Sequence, residues 1–190
     1  MIDLFPEVTK NIKEILYKHH QIYKKVRCKA EYLEEVVVAA LRLNNTEVNW
    51  NPASHDKEKD IIVNKNDKIQ IKSGKFDKKK NTLSISGHRL GRFNGDLRKV
   101  TKYLNDSTSD IISVFNPKKN SDKHFYAVAS IPKEVLKDIK HNKWIKKNTT
   151  YIQNNSNNVK LSLKIKMSWQ IWWEVPVDKI KIYEEFLINS

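Results

Sequence analysis

Asp60, Gln70 and Lys72 lie within DIIVNKNDKIQIKSG, residues 60–74, and together could hold a hard cation and an activated water. Ile61–Val63 is a short apolar run, NKND is turn-like, and Ile69 to Lys72 alternate apolar and polar. Period-2 alternation puts Gln70 and Lys72 on one face of a strand and Ile69 and Ile71 on the other. A tight turn between the two strands brings Asp60 near Gln70 and Lys72, so an acid, an amide oxygen and an ammonium can converge where the strands diverge. Divalent cations of the hard class take oxygen ligands, here the Asp60 carboxylate, the Gln70 side-chain carbonyl and the Ile71 main-chain carbonyl. Lys72 would then stand beside a cation-bound water, where it can orient the water and balance negative charge developing on a phosphate.

The elements around this hairpin follow from periodicity. PEVTKNIKEILYKHH (6–20) spaces Val8, Ile12, Ile15 and Leu16 as a helix does. RCKAEYLEEVVVAALRL (27–43) reads as a second, stronger helix, and NNTEVNWNPASH as a polar connection. Strands are expected over 60–64, 68–73 and 82–86, with a lysine-rich turn between the last two. GHRLGRFNGDL holds three of the four glycines and reads as a loop, followed by a helix starting near Asn94 or Asp96. DIISVFN (110–116) and HFYAVASI (124–131) are strands, and Pro132 starts a short helix. NKWIKKNTTYIQNNSNN is weakly patterned. VKLSLKIKM (159–167) alternates strictly as one strand, SWQIWWEVP continues it or begins another, and KIKIYEEFLI ends the chain. There is no repeat and no clear linker, so a single α/β (α+β) domain over 1–190 is expected: a catalytic core at about 27–131 and a C-terminal extension, 132–190, with strands and dimer or DNA contacts.

D-x9-Q-x-K after an acid-bearing helix resembles the PD-(D/E)XK nuclease superfamily, in its variant with Gln in the second position. The resemblance implies a restriction-endonuclease-like core, a mixed β-sheet flanked by helices, and the helix–strand–strand–strand–helix order of 27–105 is similar. It implies that Asp60, Gln70 and Lys72 are catalytic, with Asp60, Gln70 and Ile71 holding Mg2+. Many members add a glutamate from the first helix, for which Glu31, Glu34 and Glu35 are candidates. Glu34 shares a helical face with Val37, Val38 and Leu41, whereas Glu35 lies with Ala39 and Arg42 toward solvent. A carboxylate on the apolar face needs a partner, so Glu34 completes the expected catalytic and metal set. Lys59 stands where the family often has proline. Gln70 replaces a carboxylate and removes one negative charge from the site.

Composition points the same way. The 36 Lys+Arg against 22 Asp+Glu give +14 over 190 residues, with a pI near 9.7, which fits a polyanionic partner. Lysine supplies 31 of those cations and asparagine is also abundant, a pattern of AT-rich codons, so the five arginines carry more meaning than the average lysine. His88, Arg89, Arg92 and Asn94 of the glycine-rich loop, with Lys75, are the expected DNA contacts. Arginine bonds guanine and phosphate in a bidentate way, and asparagine bonds adenine so. Lys78–Lys80, and the strand face of Lys160, Lys164 and Lys166, could follow phosphates, or could simply be a solvated turn and a protected edge. Trp169, Trp172 and Trp173 are expected to pack in a core or interface rather than stack on bases. His55 is close enough in sequence to Asp60 to assist a water, although a plain loop residue is the simpler reading.

One cysteine, Cys28, excludes a disulfide framework and any cysteine-based zinc site. No run approaches a membrane span, the N-terminus lacks a signal-peptide pattern, and no GxxxxGK[ST] occurs, so a soluble cytoplasmic protein without an ATPase module is expected. The expected function is Mg2+-dependent cleavage of double-stranded DNA by a type II restriction enzyme. Such enzymes act as homodimers because two-fold symmetry matches palindromic sites. A structure-specific or Mrr-like repair nuclease, and a non-catalytic basic nucleic-acid-binding protein, are the alternatives.

Overall fold

A computed structural model describes residues 5–24, 28–29, 32–50, 60–117 and 124–188. Two helices, α1 (Phe5–Tyr23) and α2 (Leu33–Leu43), precede a four-strand run of β1 (Val48–Trp50), β2 (Ile61–Val63), β3 (Asp67–Asp77) and β4 (Thr82–Arg89). Helix α3 (Leu97–Asn105) leads into β5 (Asp110–Asn116) and β6 (His124–Ile131). Five further strands follow: β7 (Ile145–Lys147), β8 (Thr150–Asn154), β9 (Lys160–Lys164), β10 (Gln170–Pro176) and β11 (Lys181–Ile188). All eleven join one mixed sheet, ordered β11-β6-β5-β3-β4-β10-β9-β8-β7, with β2 and then β1 attached to β3. The chain is therefore mixed α+β, and 132–190 widens the sheet rather than standing beside it. Among the described residues no helix is long and apolar enough to cross a membrane.

The sheet is apolar on both faces because its central strands are. In β5, Ile112 and Val114 pack with α1 and α2, while Ile111 and Phe115 pack on the opposite side with Val100 and Leu104 of α3. A strand covered by helices on both sides has this pattern, and it explains the unbroken apolar run DIISVF. Ile69 and Ile71 of β3 join the α1/α2 layer, so Gln70 is left to face α3. The β2–β3 turn is closed by Asn64 and Lys65, both left-handed at φ 48° and 67°. That conformation suits a two-strand reversal and is tolerated best by asparagine. Helix α3 starts where expected: the Asp96 carboxylate accepts from the main-chain N–H groups of Arg98 and Lys99 at 3.0 and 3.2 Å. This is the bonding of a helix N-cap.

Several boundaries differ from the sequence reading. The second helix begins at Leu33, not residue 27; Cys28 and Lys29 are outside it, and Arg27, Ala30 and Glu31 lie outside the described residues. The "connection" contains β1, which pairs Val48 with Val63 as an edge strand. His55 lies outside the described residues. Strand β4 runs on through Gly87, His88 and Arg89, so part of the expected loop is strand held by β10. The segment after Pro132 is a 3-10 turn, and the weakly patterned stretch holds the β7–β8 hairpin. The alternating 159–167 segment stops being strand at Lys164. A 3-10 turn over Ile165–Met167 follows, then left-handed Ser168 and Trp169 at φ 55° and 57°, which reverse the chain into β10.

Candidate active site

Strand β3 carries β5 along one edge, Ile69–Lys75 against Asp110–Asn116 in parallel register. Its other edge is shared. Strand β2 pairs antiparallel with Asp67–Ile69, and β4 with Gly74–Asp77. Between them, residues 70–73 have no strand partner on that edge among the described residues. Asp60 sits at the mouth of this gap, at the end of β2. Its N–H donates to the Ile69 carbonyl at 2.9 Å, and its Oδ2 accepts from the Ile71 N–H at 2.6 Å. The carboxylate therefore takes over the main-chain bond that a continuing β2 would have made. In an extended strand the amide and carbonyl of one residue point to the same edge, so Ile71 turns its carbonyl into the gap as well.

Lys72 Nζ donates to the same Oδ2 at 3.0 Å, and only about a fifth of either side chain is exposed (20% and 18%). Glu34 comes from α2 and is half-buried, whereas Glu35 is exposed, as the helical face required. Burial, and then the Asp60 carboxylate, push the Glu34 carboxyl above the ordinary range, while Lys72 draws it back down. Glu34 is thus placed close enough to Asp60 and Lys72 to feel both charges.

Gln70 is almost wholly buried, at 3% exposure. Its Nε2 lies 2.9 Å from His88 Nε2 on β4. The His88 ring meets Tyr103 of α3 edge-on, with centroids 5.8 Å apart. Burial is the main force that drops His88 from 6.5 to about 4, with Lys72 and Arg92 lowering it further against the pull of Asp60. His88 is therefore neutral at pH 7. It belongs to the wall of the site, not to an exposed loop as the sequence implied.

The other expected contacts separate. Arg92 is exposed but lies over the Phe93 and Tyr103 rings, at 4.8 and 4.4 Å to the centroids. These cation–π contacts tie its loop to the His88–Tyr103 wall. Arg89 and Asn94 are exposed, Asn94 in a left-handed conformation, and Lys75 is exposed three residues beyond Lys72. The lysine turn is built around Asp77, which accepts from the N–H groups of Lys79 and Lys80. On the C-terminal strands, Lys160 is paired to Glu174 at 2.7 Å and Lys164 covers the Trp172 ring at 4.3 Å, so these two lysines of the expected face are engaged internally. Trp173 is core. Trp169 stacks on Tyr151 and covers Gly95, whose φ is +81°. The missing Cβ of Gly95 lets the ring approach.

The expected ligands, the Asp60 and Glu34 carboxylates, the Gln70 amide oxygen and the Ile71 carbonyl, are all hard oxygen donors, and Mg2+ commonly takes only one or two carboxylates from protein. Among the described residues no group of three or more His, Cys, Asp or Glu is placed to hold a metal ion. Sequence reasoning missed that His88 supports Gln70, and the local pattern around residue 88 carried no signal for it. No family model, no curated protein and no solved structure matches the chain.

Proposed function

We propose that this chain is a Mg2+-dependent endonuclease that hydrolyses double-stranded DNA, acting as a homodimer of the type II restriction kind. The observation that carries the reading is the meeting of Asp60 and Lys72 beside β3. There the two side chains lie 3.0 Å apart, the Ile71 carbonyl faces in, and Glu34 lies within electrostatic reach. Residues 32–105 supply helix, sheet and second helix, in keeping with the PD-(D/E)XK-like core that D-x9-Q-x-K implies. The +14 charge and the exposed Arg89, Arg92, Asn94 and Lys75 favour a polyanion as substrate.

Asp60 and Glu34 would hold the cation, with the Gln70 side-chain oxygen and the Ile71 carbonyl. A bound Mg2+ supplies Lewis acidity at the phosphate and a more acidic water. Lys72 has three donors, of which one holds Asp60 in this structure. The others can orient the attacking water and neutralise charge growing on a phosphate oxygen. Arg92, fixed over Tyr103, presents its guanidinium edge for phosphate or guanine. The test is incubation of a long mixed-sequence duplex with Mg2+, against an EDTA control. Discrete fragments that vanish with EDTA are expected. Retarded but intact DNA, unchanged by Asp60→Ala, would replace the reading with a non-catalytic DNA-binding protein.

A further inference from the structure

We infer that His88 is a positioning residue for Gln70, placed by a β-bulge so that its Nε2 fixes which end of the Gln70 amide faces the cation. This rests on the nuclease reading above. Ser86 pairs with Trp172 and Arg89 with Gln170, so three steps along β4 match two along β10. The extra residue breaks the alternation. Gly87 turns toward Trp173 and Ile171, and its neighbour His88 turns toward the same α3 side, against Gln70 and Tyr103. Without the bulge His88 would project from the opposite face of the sheet.

The contact is nitrogen to nitrogen at 2.9 Å. An amide nitrogen only donates, so His88 Nε2 is the acceptor and the ring proton sits on Nδ1. The Gln70 carbonyl oxygen is thereby turned away from the imidazole. A reversed amide would offer N–H groups to a cation and repel it. Partners of this kind, one step behind the ligands, typically change metal affinity or activity by about 10–100-fold.

The test uses the full chain as wild type, His88→Leu and His88→Gln. Its readouts are Mg2+ affinity by calorimetry, kcat, duplex Kd in Ca2+, Tm, and the 15N shifts of the His88 ring. His88→Leu should lose about 10–100-fold in both Mg2+ affinity and kcat with duplex Kd little changed, and should lower Tm because the buried Gln70 amide loses its His88 acceptor. His88→Gln, which keeps a carbonyl acceptor, should recover most of that loss. The wild-type ring should show a bare Nε2 and a protonated Nδ1. A protonated Nε2 overturns the inference, as does a His88→Leu variant with wild-type Mg2+ affinity and kcat, or one that loses only duplex affinity. A wild type that binds no Mg2+ and cuts nothing overturns the nuclease reading and this inference together. If His88→Leu fails to fold, His88→Gln and the wild-type 15N shifts still decide.

Discussion

Acid should destabilise this fold in part through a buried histidine outside the expected donor set. His20, near the end of α1, has no exposed surface. Its Nε2 accepts from the Tyr126 hydroxyl at 2.8 Å, its Nδ1 faces the Lys24 carbonyl at 3.3 Å, and its ring stacks on His124 at 3.7 Å. His124 Nε2 reaches the same Lys24 carbonyl at 2.9 Å, and His19 packs edge-on. A proton on His20 would reverse the Tyr126 bond, with the hydroxyl now accepting, and would place a buried charge against a second imidazole. Burial, then His124, lower its pKa from 6.5 to about 4, against the Lys24 carbonyl, which raises it. The unfolded chain takes up the proton first, so stability is full above pH 6.5 and is lost as pH falls toward 4. One pKa unit is about 1.4 kcal/mol, so the loss through His20 is about 1 kcal/mol by about pH 5.5. For a chain of this length that is about 2–4 °C in Tm. His88 titrates in the same window, so the comparison is wild type against His20→Gln, in which only the His20 contribution is removed. Denaturant melts between about pH 7.5 and 5.5 should converge by about 1 kcal/mol, with His20→Gln the less pH-sensitive. Parallel pH profiles, or an NMR titration midpoint for His20 at or above about 6, would refute the reasoning.

Asp60→Ala and Lys72→Ala should each cut cleavage by at least about 100-fold while duplex binding in Ca2+ persists, because both act on the transition state; wild-type cleavage rates in either would remove the gap from the mechanism. Gly87→Ala drives a Cβ into the Trp173 ring and to 2.7 Å from Ile171. It should cost about 1–3 kcal/mol by overpacking, read as a Tm drop, and an unchanged Tm would mean the bulge relaxes freely. Asp96→Ala removes the α3 cap and should cost about 1 kcal/mol in denaturant melts, whereas Asp96→Asn should cost much less. Arg92→Ala should weaken duplex binding and lower the slope of log K against log salt by about 1 if it meets a phosphate, and an unchanged slope and affinity would remove it from the interface.

The local pattern of residues was enough for the parts of this protein that depend on neighbours in sequence. DIISVFN had to be a strand, Asp96 could cap a helix, and Glu34 rather than Glu35 had to face inward, because strand and helix periods are local geometry. The same holds for Asp60 and Lys72 meeting, since a tight turn through Asn64 and Lys65 joins the strands that carry them. Other features needed partners far along the chain. The bulge that aims His88 at Gln70 exists only because β10, more than eighty residues later, pairs out of step with β4. The fate of Lys160 and Lys164 depended on Glu174 and Trp172 arriving beside them. The placement of β11 next to β6, across the sheet from β10, is likewise a long-range pairing. Such pairings are set by which edges remain open once the central strands have formed, and an edge is a property of the assembled sheet, not of any one segment.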